Sequence, residues 1–354
     1  MWRTPLAILA VAGALSGSGF PDTMPAELAT PPGWLLRAPE LRELSPADLA
    51  ARPARFAAPL GEKLTYQVRY FGVDVGPATI KVARYVEVDG HRYAHLVATA
   101  RTNDFWSNLY RVDDRSEAWI DLDSGQVART RTRMLHGSGE SREEIRYDWA
   151  AHFVTVRKAK VHRASVREDA FDFGPFVYDV FDAFYALRRV PYREGTEVEL
   201  PVCASRKIHG FRVRYAGRRE VTAAALGTAP VSALELRPYD TIDGKPYAVG
   251  DGKVYVLDDP SRVPIRLDGW FRFTDFIRIG GVSAELVAWE RGAPGWPAPA
   301  PPEWRDPPIA PASAEGRPTW DAPAAVVAAR ARAGVAAYER KERLAPSAVG
   351  AAPN

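Results

Sequence analysis

Between residues 59 and 291 apolar and polar side chains alternate one by one along stretch after stretch of the chain. From Glu62 to Tyr70, Leu64, Tyr66, Val68 and Tyr70 fall on one side of an extended backbone, and Lys63, Thr65, Gln67 and Arg69 on the other. From Ala78 to Val88, Ile80, Val82, Val86 and Val88 share a face against Thr79, Lys81 and Glu87. Phe211, Val213 and Tyr215 alternate with Arg212 and Arg214, and Val254 and Val256 keep the same rhythm after Lys253. A period of two predicts β-strands with one buried face. Turn chemistry separates the runs, at Asp89-Gly90, Asp123-Ser124-Gly125, Gly137-Ser138-Gly139, Asp243-Gly244 and Asp258-Asp259-Pro260-Ser261.

Roughly a dozen such strands joined by short turns predict an all-β meander. A sheet that is oily on one side only must curl around that side, as a barrel or half-barrel, or cover it with a helix. Tyr178–Arg189 (YDVFDAFYALRR) supplies the helix: Phe181, Phe184 and Leu187, after Val177, recur at three- and four-residue spacing, with Asp182 and Arg189 off the stripe. Asn103–Tyr110 (NDFWSNLY) places Phe105, Trp106, Leu109 and Tyr110 in the same way.

Outside this core the rhythm is lost. Residues 1–19 carry an early arginine, an apolar run from Pro5 to Leu15 and a small-residue exit, which reads as a cleaved signal peptide. The run is shorter than the ~20 residues that span a bilayer; a retained N-terminal anchor is the alternative. Residues 20–58 form a linker with one short helix, capped by Ser45 and started by Pro46. Residues 292–318 are proline-rich and favour an extended linker. Residues 319–354 read as a helical tail.

Composition narrows the function. The net charge of +3, from 47 basic and 44 acidic residues, gives no case for nucleic acid. The lone Cys203 excludes an internal disulfide, and no cysteine follows the signal region to carry a lipid, so the expectation is a periplasmic or secreted chain that is not a lipoprotein. Cys203 sits in a strand-like run and is expected to be a buried structural thiol.

Catalytic and metal chemistry find no footing. His91 and His95 lie four residues apart, about 13 Å on a strand at roughly 3.3 Å per residue, too far to share a zinc ion whose ligands stand about 2 Å away. Glu143 and Glu144 are adjacent and point to opposite faces, so they cannot work together as acid and base. Asp258-Asp259 is expected to build a turn. There is no Gly-x-Ser-x-Gly, phosphate loop or dinucleotide fingerprint. No metal or cofactor is expected.

Two polar or aromatic sets remain. Arg129, Arg131 and Arg133 line one strand face, with Arg142 and Arg146 across the next turn. They form either a solvated face of cross-strand ion pairs or a basic surface for an anionic partner. Trp106, Leu109, Tyr110, Phe181, Phe184 and Tyr185 either fill the core or line a cavity for a small hydrophobic ligand.

The segments GEKLTYQVRYFGVDVGPATIKV, RTNDFWSNLYRVDDRSEAWIDLDSG, YDVFDAFYALRRVPYREGTEVELPV and VYVLDDPSRVPIRL together resemble the DUF3108 family, in order, over about residues 59–291. Asp182 departs from the resemblance, since a small serine is more usual there. The resemblance implies an exported bacterial β domain with no assigned activity, similar in architecture to lipoprotein-carrier and lipid-carrier half-barrels in which a curved sheet holds an acyl chain against a helical lid. It implies no catalytic residue. The expected function is non-catalytic binding of a lipid-like or other hydrophobic ligand. The alternatives are an envelope scaffold acting through the arginines and the proline-rich tail, and an enzyme acting on an envelope component.

Overall fold

The computed structural model describes residues 42–292 other than 53, 55, 57, 89, 162–164, 175, 191, 205–206, 243–244, 249 and 273–277. The signal-like segment, the proline-rich segment beyond 292 and the expected C-terminal helix lie outside the described residues.

Seventeen strands form one sheet among the described residues. They are β1 (Arg42–Glu43), β2 (Glu62–Tyr70), β3 (Val73–Val88), β4 (His91–Arg101), β5 (Val112–Asp121), β6 (Val127–His136), β7 (Gly139–Asp148), β8 (Phe153–Lys160), β9 (Ser165–Asp172), β10 (Tyr178–Asp179), β11 (Glu197–Ala204), β12 (Lys207–Ala223), β13 (Gly227–Ile242), β14 (Lys245–Ala248), β15 (Gly250–Leu257), β16 (Pro264–Arg272) and β17 (Arg278–Arg291). Among the described residues the helices are α1 (Pro46–Ala51), α2 (Asp104–Leu109) and α3 (Val180–Leu187). The count exceeds the expected dozen partly because β1 and β10, at two residues each, are too short to show a periodicity.

One meander runs from β2 to β9 and a second from β11 to β17, and the last strand returns to the first: Val282 of β17 stands opposite Tyr70 of β2, and Arg291 opposite Glu62. Among the described residues every strand pairing is antiparallel except that of β10 with β11. The sheet curls into a barrel-like form and does not close.

Burial follows the predicted alternation in β2, where Leu64, Tyr66 and Val68 are buried. In β3 it breaks. The register with β4 shifts between Val82 and Arg84, so Tyr85 enters the core cluster, whereas Val86 is buried opposite Glu43 of β1. A bulge inserts one residue and exchanges the faces beyond it, which corrects the expectation that Val82, Val86 and Val88 share a face.

The expected 178–189 helix forms over 180–187 and covers the sheet from within. Asp179 caps it, its side chain accepting from the Phe181 amide. Phe181 and Tyr185 pack with the β2–β5 core, while Ala186 and Leu187 pack with β11, β12, β13 and β15. Because α3 has sheet on more than one side, Asp182, expected off the apolar stripe, is buried too. At its far end Arg188 forks onto Glu62 at 2.7 and 3.2 Å and donates to the Ser261 carbonyl at 3.0 and 2.7 Å. The helix therefore runs from the rim where β11 ends to the opposite rim where β2 begins.

Candidate functional site

Two hollows flank α3. The larger, about 140 Å³, lies between Val180, Ala183, Phe184 and Leu187 of the helix and the inner face of β11–β16, where Leu200, Val202, Phe211, Leu236, Val254 and Leu267 line it. Register explains the space. Leu236, Gly252, Gly269 and Val282 stand in one row across β13, β15, β16 and β17. Leu236 lines the hollow and Val282 is core, so the row faces inward, and its two middle members carry no side chain. A Cβ at Gly252 would meet nothing closer than 3.4 Å. Lys253 and Asp268 also lie along the lining.

The smaller hollow, about 50 Å³, lies between the start of α3 and the inner face of β4–β7. It gathers Asp114, Glu143, Asp179, Ser116, Thr130, Thr132 and Cys203. Asp179 accepts from Thr130 at 2.9 Å and from the Tyr147 hydroxyl at 3.3 Å; burial raises its carboxyl to about 6. Glu143 pairs with Lys158 at 3.2 Å, Asp114 with His136 at 2.9 Å, and Ser116 with Thr132 at 2.8 Å. Asp182 faces the backbone amides of Asp179 and Val127 without reaching hydrogen-bond geometry, and burial pushes its carboxyl well up. This gathering of titratable groups was not foreseen, because it depends on which strands the helix start faces. Cys203 is buried, and burial pushes its thiol up to about 12.

The six aromatic and aliphatic candidates fall in separate places. Phe184 lines the larger hollow and Phe181 the smaller. Tyr185 is core, edge-on to Phe56 at 5.1 Å with Arg188 over its ring. Trp106, Leu109 and Tyr110 sit on or beside α2 and line neither hollow.

The arginine ladder is met by carboxylates. Glu144 pairs with Arg129 at 2.5 Å and Arg146 at 2.7 Å, and Glu140 with Arg142 at 2.8 Å and Arg133 at 3.4 Å. Arg129 and Arg131 lie over the Trp119 ring, at 5.5 and 6.0 Å, and the His95 ring stacks on Trp119 at 4.7 Å. Burial pulls the Arg129 guanidinium down to about 9. His95 is thus occupied by Trp119 and by Glu117 at 3.1 Å. Asp259 accepts from the Ser261 and Arg262 amides at 2.8 and 3.3 Å, the turn its sequence predicts. Among the described residues no three His, Cys, Asp or Glu side chains group closely enough to hold a metal, and no helix is long and apolar enough to cross a membrane.

A curled antiparallel sheet packed around an internal helix defines a β-barrel-like domain. The chain belongs to DUF3108, a family of proteins of unknown function, whose family model matches residues 65–280. No curated protein matches it. Among solved structures it is similar to the β-barrel-like protein of domain of unknown function DUF1849 from Brucella abortus, with 10% identity, 67% of this chain and 100% of that one covered, and a TM-score of 0.43. It is also similar to a candidate exported protein with YmcC-like fold from Bacteroides fragilis, with 9% identity, 66% and 98% covered, and a TM-score of 0.27. A candidate lipoprotein from Parabacteroides distasonis shares 7% identity, with 67% and 98% covered and a TM-score of 0.26.

Proposed function

We propose that this chain is an exported, non-catalytic binding protein that takes an apolar group into the hollow between α3 and β11–β16. The supporting observation is the glycine pair, Gly252 opposite Gly269, which leaves an apolar-walled space beside α3. At about 140 Å³ the hollow is close to a cavity that holds benzene, so it suits about six carbons. Whole drug-sized ligands need roughly 300 Å³ or more. The ligand is therefore the end of an acyl chain or an equivalent apolar group, with the rest of the molecule outside. A periplasmic or secreted location rests on the signal-like pattern of residues 1–19. Native mass spectrometry and organic extraction of the purified chain test the reading: a bound amphiphile or uptake of an added one supports it, and the absence of both overturns it.

The enzyme reading draws on the polar hollow. Its carboxylates are already engaged by Thr130, Lys158 and His136, and about 50 Å³ admits a few waters at ~10–15 Å³ each rather than a substrate. The scaffold reading draws on the arginines, whose pairing with Glu140 and Glu144 leaves less charge for a partner.

A further inference from the structure

Among the described residues the large apolar side chains that the fold leaves exposed share one rim. Phe71 in the β2–β3 turn and Val73 at the start of β3 are 65% and 52% exposed, and Phe105 and Leu109, 66% and 68% exposed, occupy α2, which links the end of β4 to the start of β5. Val161, 45% exposed, follows the last residue of β8. The strand registers place all these ends at the rim where β11 ends and α3 begins.

The turn and α2 are fastened together. Trp106 Nε1 and Asn103 Nδ2 both donate to the Asp74 carbonyl at 3.0 Å, and the Asn103 amide donates to the Val75 carbonyl at 2.8 Å. Gly76 permits the approach, since a Cβ there would lie 2.0 Å from the Arg101 carbonyl oxygen. The half-buried rings of Tyr70, Trp106 and Tyr110 pack against the core, Tyr70 touching Phe71 and Trp106 touching Phe105. Arg101 and Arg111 flank α2 and are exposed. Arg101 has no carboxylate within ion-pair distance among the described residues, and Arg111 holds Asp113 only loosely at 3.6 Å.

We propose that this rim docks on a lipid bilayer surface, with Phe71, Val73, Phe105 and Leu109 inserted among the acyl chains and Arg101 and Arg111 at the phosphates. This rests on the reading of the α3 hollow as a site for an acyl-chain end. The patch is a turn and a short helix that each expose large apolar side chains, and a fluid surface accommodates such side chains. The combination of exposed apolar side chains, amphipathic rings and cations matches the chemistry of a membrane interface. The partner is therefore a bilayer carrying anionic lipid.

Flotation of the full chain with vesicles of phosphatidylcholine containing phosphatidylglycerol tests this, beside pure phosphatidylcholine vesicles. The full chain should float with both and more with the anionic ones. The double variant F105S/L109S, and separately F71S, should lower the partition coefficient at least about tenfold at unchanged melting temperature, as expected from removing large apolar side chains from the contact. Equal flotation of chain and variants, or no flotation, overturns the proposal. A dimer in solution that F105S/L109S dissociates also overturns it, assigning the patch to a second copy. Titration of 1-hexanol into the same variants separates the two readings. Binding without flotation sinks the docking surface alone, and flotation without binding sinks the hollow alone.

Discussion

The Asp179 carboxylate accepts a hydrogen bond from the Thr130 hydroxyl at 2.9 Å, and that bond joins the two arms of an open sheet. Asp179 belongs to β10, which lies along β11 at the start of the second meander, opposite Cys203. Thr130 belongs to β6, in the first meander, and Tyr147 of neighbouring β7 adds a second bond at 3.3 Å. Where the ladder does not close, side chains do the joining, and the same carboxylate caps α3 through the Phe181 amide.

The latch is predicted to depend on pH. Burial raises Asp179 from 3.8 to about 6, so between those values the folded chain holds a proton that the unfolded chain releases. Stability from this group is therefore greatest below about pH 4 and falls as pH rises through 6. Asp179→Asn keeps a capping oxygen and a polar partner for Thr130 while removing the charge. It should be more stable than the parent at pH 8, by about 3 kcal/mol, with little difference at pH 4. Urea melts at the two pH values check this, and a variant less stable at both would contradict it.

At the other end of α3, Arg188 and Glu62 form a buried fork. Arg188→Met should cost about 3–5 kcal/mol, because Glu62 is left charged and buried. Adding Glu62→Gln should recover part of that loss. Denaturant unfolding of Arg188→Met, of Glu62→Gln and of the double variant measures the coupling, and a loss below about 1 kcal/mol in Arg188→Met would show that the pair does not anchor the helix.

Cys203 should be inert in the folded chain. With its thiol pushed up to about 12, almost no thiolate exists at pH 8, and its burial denies access to reagents. Ellman's reagent should label it only after denaturation; prompt labelling of native protein would contradict its placement.

The strand pattern, the two helices around 104–109 and 180–187, the Asp259 turn and the burial of Cys203 were legible from residue spacing and turn chemistry. What stayed hidden was pairing across the sheet. Gly252 and Gly269 are seventeen residues apart, and nothing local says that they stand opposite each other. Likewise Asp179 and Thr130 meet only because α3 begins beside β6. Arg133 and Arg142 read as a basic stripe until register places Glu140 within reach of both. Helical spacing and ring chemistry cannot tell a core ring such as Tyr185 from a lining one such as Phe184.

The proposed function requires that the missing side chains at Gly252 and Gly269 make a receptive space. Calorimetric titration of straight-chain 1-alkanols from butanol to decanol into the full chain and Gly252→Val tests it most directly. Affinity should rise about threefold to fourfold per methylene, as ~0.8 kcal/mol each implies, and level off beyond about six carbons. Gly252 has no left-handed backbone requirement, so the valine should fold at least as stably as the parent and yet lose the binding. No binding by the parent, or an unchanged alkanol series in a folded Gly252→Val, would contradict the account.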